Sequence, residues 1–273
     1  MASTFLYGAH VRANGIRQHY LRYGGAGPAI VIVPGITSPA MTWGFVAERF
    51  GRAFDTYVLD VRGRGLSEAS AALDYGLDAC AADVIAFALA LGLDRYSLLG
   101  HSMGGRIAVR AASQCAESDR ASGLERLVVV DPPASGPGRR PYPTPLSWYV
   151  DSIRLMREGA GVDALRPFSP TWALEHLRLR AEWLHTCDER AVVESYAGFH
   201  RDDVHADFPR VRVPMLLMVA GKGNVLQPED VEEIRRLAPS IRVSRVDGAG
   251  HMIPWDDYDG FFDAVSDFLG PHV

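Results

Sequence analysis

The chain has 273 residues, 48% apolar and 22% charged, a globular composition that excludes intrinsic disorder. About three quarters of its unfolded surface can be buried at this length, enough for one large domain or one domain with an insertion. The excess of 33 acidic over 28 basic side chains speaks against a nucleic-acid partner, and three scattered cysteines make neither a disulfide framework nor a zinc site.

The opening residues, MASTFLYGAHVRANG, lack the basic and apolar regions of a secretory signal. The longest strongly apolar stretch, Val84 to Leu93, is about half of a membrane span, so no membrane is expected and the setting is read as cytoplasmic and reducing. From there short β-rich runs alternate with helical patterns, which predicts an α/β fold with a mostly parallel sheet flanked by helices. Strands are expected over Ile16–Tyr23, Ala29–Val33, Thr56–Asp60, Tyr96–Leu99, Leu127–Val130, Met215–Ala220 and Val243–Val246. Several are apolar without alternation (AIVIV, RLVVV, MLLMVA), as strands covered on both faces should be. Helices are expected over Asp78–Leu91, over Pro228–Leu237, whose early acids and late arginines suit the helix dipole, and over Asp257–Leu269.

One interval breaks the alternation. Between about Ser135 and Phe208 no strand is predicted; a Pro/Gly-rich lead-in, ASGPGRRPYPTP, gives way to three helical patterns. In the second, Ser169 reads as N-cap and Pro170 as the first helical residue, with Leu174, Leu177, Ala181 and Leu184 as an apolar stripe. Residues 135–208 are therefore expected to form a helical cap inserted into a core made of 1–134 and 209–273. Such a cap would close over the C-terminal edge of the sheet, where open α/β sheets bind ligands.

Gly100-His101-Ser102-Met103-Gly104 matches G-x-S-x-G, and its setting strengthens the match: it follows YSLL and opens RIAVRAA, as a strand–turn–helix nucleophile elbow requires. The base is expected at His251, after the last strand and before the final helix. His101, adjacent to the serine, points elsewhere and is read as a packing or hydrogen-bonding residue. The usual place for the acid, after the strand before the last, carries Asn224, and an amide there supports imidazolium about 10⁴-fold less well in kcat. Asp131, closing RLVVVD at the same sheet edge, is the expected acid, with Glu229 and Asp230 as backups. Two backbone amides are expected to make an oxyanion hole: Met103, after the nucleophile, and Ile36, in the loop VPGITSP.

Together GIRQHYLRYGG, VPGIT, VLDVRGRGLS, GHSMGGR, VVVDPP and GHMIPW resemble the α/β-hydrolase superfamily across essentially the whole chain. More narrowly, LVVVDPPASGPGRRPYP, RAEWLHTC and AGHMIPWDD look like the deformylases that hydrolyse N-formylmaleamate in aerobic nicotinate breakdown. That resemblance implies a Ser-His-Asp amidohydrolase without a cofactor, and an acid placed after the earlier strand, as Asp131 is. It also implies a small anionic amide as substrate, which needs a cationic clamp in an apolar pocket. Arg139, Arg140, Arg178 and Arg180, with Trp183, are the candidates in the cap; Arg62, Arg64 and Arg106 read as structural bridges around the elbow. His185, Cys187, His200, His205, Asp202 and Asp203 match no zinc spacing, so no metal is expected. An esterase or carbon–carbon bond hydrolase on the same triad, and a non-catalytic receptor on the same fold, are the rival functions.

Overall fold

The computed structural model describes residues 2–117 and 123–270. Its strands are β1 (Phe5–Ala13), β2 (Ile16–Gly24), β3 (Ala29–Val33), β4 (Asp55–Leu59), β5 (Tyr96–His101), β6 (Leu124–Val130), β7 (Met215–Ala220) and β8 (Arg242–Val246). They form one sheet in the order β1-β2-β4-β3-β5-β6-β7-β8. β2 runs antiparallel to both neighbours, and the pairings from β4 through β8 are parallel. The helices are α1 (Gly44–Phe50), α2 (Leu77–Ala90), α3 (Met103–Glu117), α4 (Leu146–Arg157), α5 (Leu174–Leu184), α6 (Glu189–Arg201), α7 (Pro228–Leu237), α8 (Ile253–Asp256) and α9 (Tyr258–Leu269).

The unalternating apolar strands are buried on both faces. In β3, Ile30 and Ile32 join Phe50, Phe261 and Phe262 on one side, while Val31 and Val33 join Phe87 and Ile107 on the other. Successive side chains of a strand point to opposite faces, so both layers of helices demand apolar partners from it. The chain leaves β3 for β4 on one side and reaches β5 on the other, which opens a crevice at the C-terminal ends of β3 and β5.

Two details depart from the sequence-based expectation. β1 was not among the expected strands; it is an edge strand whose outer residues Phe5, Leu6 and Tyr7 are exposed, so burial never imposes a clear pattern on it. It pairs with β2 through Asn14-Gly15, both at positive φ (50° and 76°), a two-residue hairpin turn. Ser169 is not an N-cap: a 3-10 turn over Val162–Phe168 ends on it, and α5 starts only at Leu174 behind Ala173. Pro167 keeps the preceding segment in a tight turn, and the Ser169-Pro170 pair becomes the link between turn and helix.

Between β6 and β7 the chain holds α4, α5 and α6 and no strand. Ile153, Leu177, Leu184 and Phe199 from these helices, with Leu165 from the 3-10 turn between α4 and α5, are buried and join the apolar cluster on the α2–α3 face of the sheet.

Candidate active site

β5 passes into α3 through a single residue, Ser102, with φ +56°. Space dictates the glycines around it. A β-carbon on Gly100 would lie 2.1 Å from the Gly104 carbonyl oxygen, and one on Gly104 would lie 1.9 Å from that of Val33. Strand and helix can meet this closely only without those side chains, and the sharp turn holds Ser102 in the left-handed region. Its amide donates to the carbonyl of Val130 (2.9 Å), tying the turn to the end of β6.

Asp131 follows directly on β6, with φ +42°. Its amide donates to the Met218 carbonyl (2.9 Å), and its Oδ1 accepts the Ala220 amide (3.3 Å). The other oxygen, Oδ2, accepts from Nδ1 of His251 at 2.7 Å. With Nδ1 donating, Nε2 is left to accept from the Ser102 hydroxyl, 2.9 Å away. Hydroxyl, imidazole and buried carboxylate therefore stand in one hydrogen-bonded line, an arrangement able to take a proton from the hydroxyl and stabilise the resulting imidazolium. Asn224 is exposed, and its carbonyl accepts from Gln227 (3.2 Å). Asp230 accepts the Gln227 amide (2.8 Å) at the start of α7, and Glu229 is exposed on the same helix. Neither backup reaches His251.

His101 turns its ring beneath His251, with the two ring centres 5.0 Å apart, and its Nε2 donates to the His251 carbonyl (3.0 Å). Burial, with a smaller contribution from His251, pushes its pKa down to about 3, so it stays neutral. It braces the backbone that carries the base.

On the far side of Ser102, the loop after β3 comes close because Gly35 lacks a side chain. A β-carbon there would lie 3.3 Å from Nδ1 of His101 and 3.5 Å from Cβ of Ser102. Ile36 is buried, and its carbonyl accepts from Nε of Arg64 (3.1 Å). Met103 is the first residue of α3, where amides have no partner within the helix. Ile36 lines the same cavity as Ser102, and Met103 follows that serine directly in the chain. Arg64 also donates to the carbonyls of Arg62 (2.9 Å) and Ala191 (3.1 Å) and to the Ser195 hydroxyl (3.0 Å), linking the β3 loop to α6. Arg106 holds the carbonyls of Pro133, Ser135 (both 2.8 Å) and Asp202 (2.6 Å), and Arg62 pairs with Asp83.

A cavity of about 260 Å³ lies over Ser102 and His251, lined by Ile36 and Thr37 from the loop after β3 and by Trp148, Tyr149, Trp172 and Arg180 from the segment between β6 and β7. Arg180 is buried. It donates to the carbonyl and the Oγ1 of Thr37 (both 3.2 Å), and its guanidinium carbon lies 5.7 Å from the ring centres of both Trp148 and Trp172. Its Nε has no hydrogen-bond partner, and among the described residues no carboxylate pairs with it. Burial alone lowers its pKa from the ordinary arginine value.

The other candidates for the cationic clamp are not brought to the cavity. Arg139 forks onto Glu233 (2.6 and 2.8 Å), and Arg140 meets Asp230 (2.6 Å) and the Val225 carbonyl (3.0 Å), because the lead-in runs along α7. Arg178 is exposed and Trp183 is half-buried away from the cavity wall. Helical spacing separates these residues. Arg180 falls three positions after Leu177 and four before Leu184, on the buried stripe, whereas Arg178 is turned to the opposite face. Tyr142, Tyr149, Trp148 and Trp172 escaped sequence reasoning, since nothing local distinguishes them from core aromatics. Among the described residues no group of three His, Cys, Asp or Glu could hold a metal ion; His200 accepts the Tyr142 amide (3.2 Å), and Cys187 is a buried thiol.

Residues 30–264 match the alpha/beta hydrolase family. Over 267 residues the chain is 64% identical to the N-formylmaleamate deformylase of Pseudomonas putida, with 98% of each chain covered. A crystal structure of a serine-to-alanine variant of an N-formylmaleamic acid deformylase, also from Pseudomonas putida, superposes with a TM-score of 0.90 at 51% identity, covering 95% of this chain and 100% of that one. E-2-(acetamidomethylene)succinate hydrolase, at 21% identity and a TM-score of 0.78 over 97% of this chain and 99% of its own, shares the fold. By the elbow, the strand order and these matches, the chain belongs to the alpha/beta hydrolase family.

Proposed function

We propose that the chain hydrolyses N-formylmaleamate to maleamate and formate. Ser102 attacks the formyl carbon while His251 Nε2 takes its proton, and Asp131 steadies the imidazolium. The amides of Ile36 and Met103 hold the oxyanion of the tetrahedral intermediate. As the C–N bond breaks, His251 returns the proton to the leaving nitrogen, which departs as the amide of maleamate. A water molecule, deprotonated by the same base, then cleaves the formyl ester of Ser102 and releases formate. The scheme asks for no cofactor.

Arg180 carries the substrate assignment. A guanidinium buried between two tryptophans, with a vacant Nε and no carboxylate partner among the described residues, is a site for a ligand carboxylate. It lines the cavity that holds Ser102, so a short molecule with an acid at one end and a formyl amide at the other spans the two. The 64% identity to a deformylase of that substrate agrees.

We read residues 135–208 as the cap over this cavity. Trp172 of the cap stacks on Trp255 of the core (5.2 Å, 8°), and Arg180 reaches back to Thr37. The cysteine pattern supports a cytoplasmic setting. A formate-release assay over N-formyl, N-acyl, ester and dienoate substrates tests the reading: N-formylmaleamate should be turned over fastest, and faster turnover of an ester or dienoate would overturn it.

A further inference from the structure

Two tyrosines beside the triad have no part in the scheme above. Tyr142, in the Pro-rich lead-in, and Tyr149, on α4, are both buried, with hydroxyls 2.9 Å apart. Tyr149 lines the same cavity as Ser102, His251 and Arg180. Tyr142 lies behind it, its ring centre 5.0 Å from that of Phe199 and 6.1 Å from that of Tyr196. The ring of Tyr149 packs against Trp148 at 5.0 Å, and Trp148 in turn lies under the Arg180 guanidinium, so phenol and cation share one wall.

We infer that Tyr149, braced by Tyr142, is a catalytic residue that donates a hydrogen bond to the leaving amide, at the carbonyl oxygen conjugated with the departing nitrogen. The assignment rests on the deformylase reading. A substrate with its carboxylate at Arg180 and its formyl carbon at Ser102 lays its middle across the Tyr149 wall. The polar group in that middle is the second carbonyl. When the C–N bond breaks, the electron pair passes to nitrogen and is shared with this oxygen, as in an imidate anion. His251 delivers the proton to nitrogen; Tyr149 keeps its own proton and only tightens its hydrogen bond as charge builds. The two hydroxyls carry two protons, of which their mutual bond uses one, so the pair retains a donor. Burial raises the pKa of both phenols, which keeps them protonated at neutral pH. The formyl oxygen is served by backbone amides and the second carbonyl by a phenol, one set of donors for each carbonyl of the substrate.

Phenyl formate separates this role from a structural one, because its leaving group has no such carbonyl. Tyr149→Phe, which preserves the ring, is expected to lower kcat on N-formylmaleamate by about 10²-fold, the scale of losing one oxyanion donor, with KM little changed. The loss on phenyl formate should be far smaller. Tyr142→Phe should show the same leaving-group dependence in weaker form, as the brace rather than the donor. Equal losses on both substrates, or no loss on either, would overturn the assignment. A wild-type enzyme that cleaves phenyl formate but frees no formate from N-formylmaleamate would instead overturn the substrate reading, and the assignment with it.

Discussion

The sheet edge and the cap place their polar residues by different means. Ser102 and Asp131 each follow directly on a parallel strand whose register is fixed by its neighbours, with Gly100 opposite Val129 and His101 opposite Val130. A residue just past such a strand end has one available position, and a short motif suffices to locate it. In the cap, position depends on which way a helix faces and on what the lead-in meets. Four arginines of similar chemistry there reach four different fates, and only Arg180 lines the cavity. Motif locates Ser102 and Asp131; packing decides which arginine reaches the cavity.

The largest effect should come from the edge. Ser102→Ala is expected to lower kcat by about 10⁶-fold, the scale of removing a triad serine, without lowering the thermal midpoint. Formate release checks it, and a variant retaining more than about a tenth of the activity would break the nucleophile assignment. Next, Asp131→Asn should cost about 10⁴-fold in kcat, while Asn224→Ala should leave it nearly unchanged. The reverse ranking would move the acid to the later strand.

The cap side should show a smaller effect, and one confined to substrate charge. Arg180→Met is expected to lower kcat/KM for the anionic substrate roughly 10- to 150-fold and to leave its neutral methyl ester almost untouched, whereas Arg139→Met should keep the preference for the acid. Equal discrimination in wild type and Arg180→Met would mean the cap is not where the anion binds.

The smallest effect concerns the brace under the base. His101 is neutral in the fold, with its pKa pushed down to about 3, whereas in the unfolded chain it titrates near 6.5. Below pH 6.5 the unfolded state therefore binds a proton that the native state refuses. The stability tied to this residue is complete above that pH and is lost as pH falls toward 3, amounting to about 2 kcal/mol by pH 5. His176 and His205, lowered chiefly by burial, add to the slope in the same direction. His101→Gln keeps a donor and removes the titration, so urea unfolding at pH 7 and pH 5 should show a shallower loss than in wild type. An unchanged slope would assign the effect to the other histidines.

The core strands were legible because burial on both faces leaves an unbroken apolar run, and the elbow because Gly100 and Gly104 are imposed by backbone contacts that no other residue satisfies. β1 was not, although Asn14-Gly15 marks its turn, since an exposed edge strand carries no burial pattern. The pairing of Asp131 with His251 was legible through a mismatch, the amide at Asn224 pointing back to Asp131. Other supports depend on contacts between distant segments. Asp60, for example, accepts from the Ala40 amide (2.6 Å), the Leu66 amide (3.0 Å) and His19 (2.7 Å), joining three parts of the chain that no local pattern connects. The tyrosine pair and the place of Arg180 in the cavity wall belong with these.

The stack of Trp172 on Trp255 has an optical consequence. Two indoles 5.2 Å apart and within 8° of parallel couple their electronic transitions, one ring belonging to the cap and the other to α8, four residues beyond the catalytic imidazole. Their near-ultraviolet circular dichroism and emission are a built-in gauge of how firmly cap and core are pressed together. The gauge needs no label, and stopped-flow mixing with substrate reads it on the timescale of turnover.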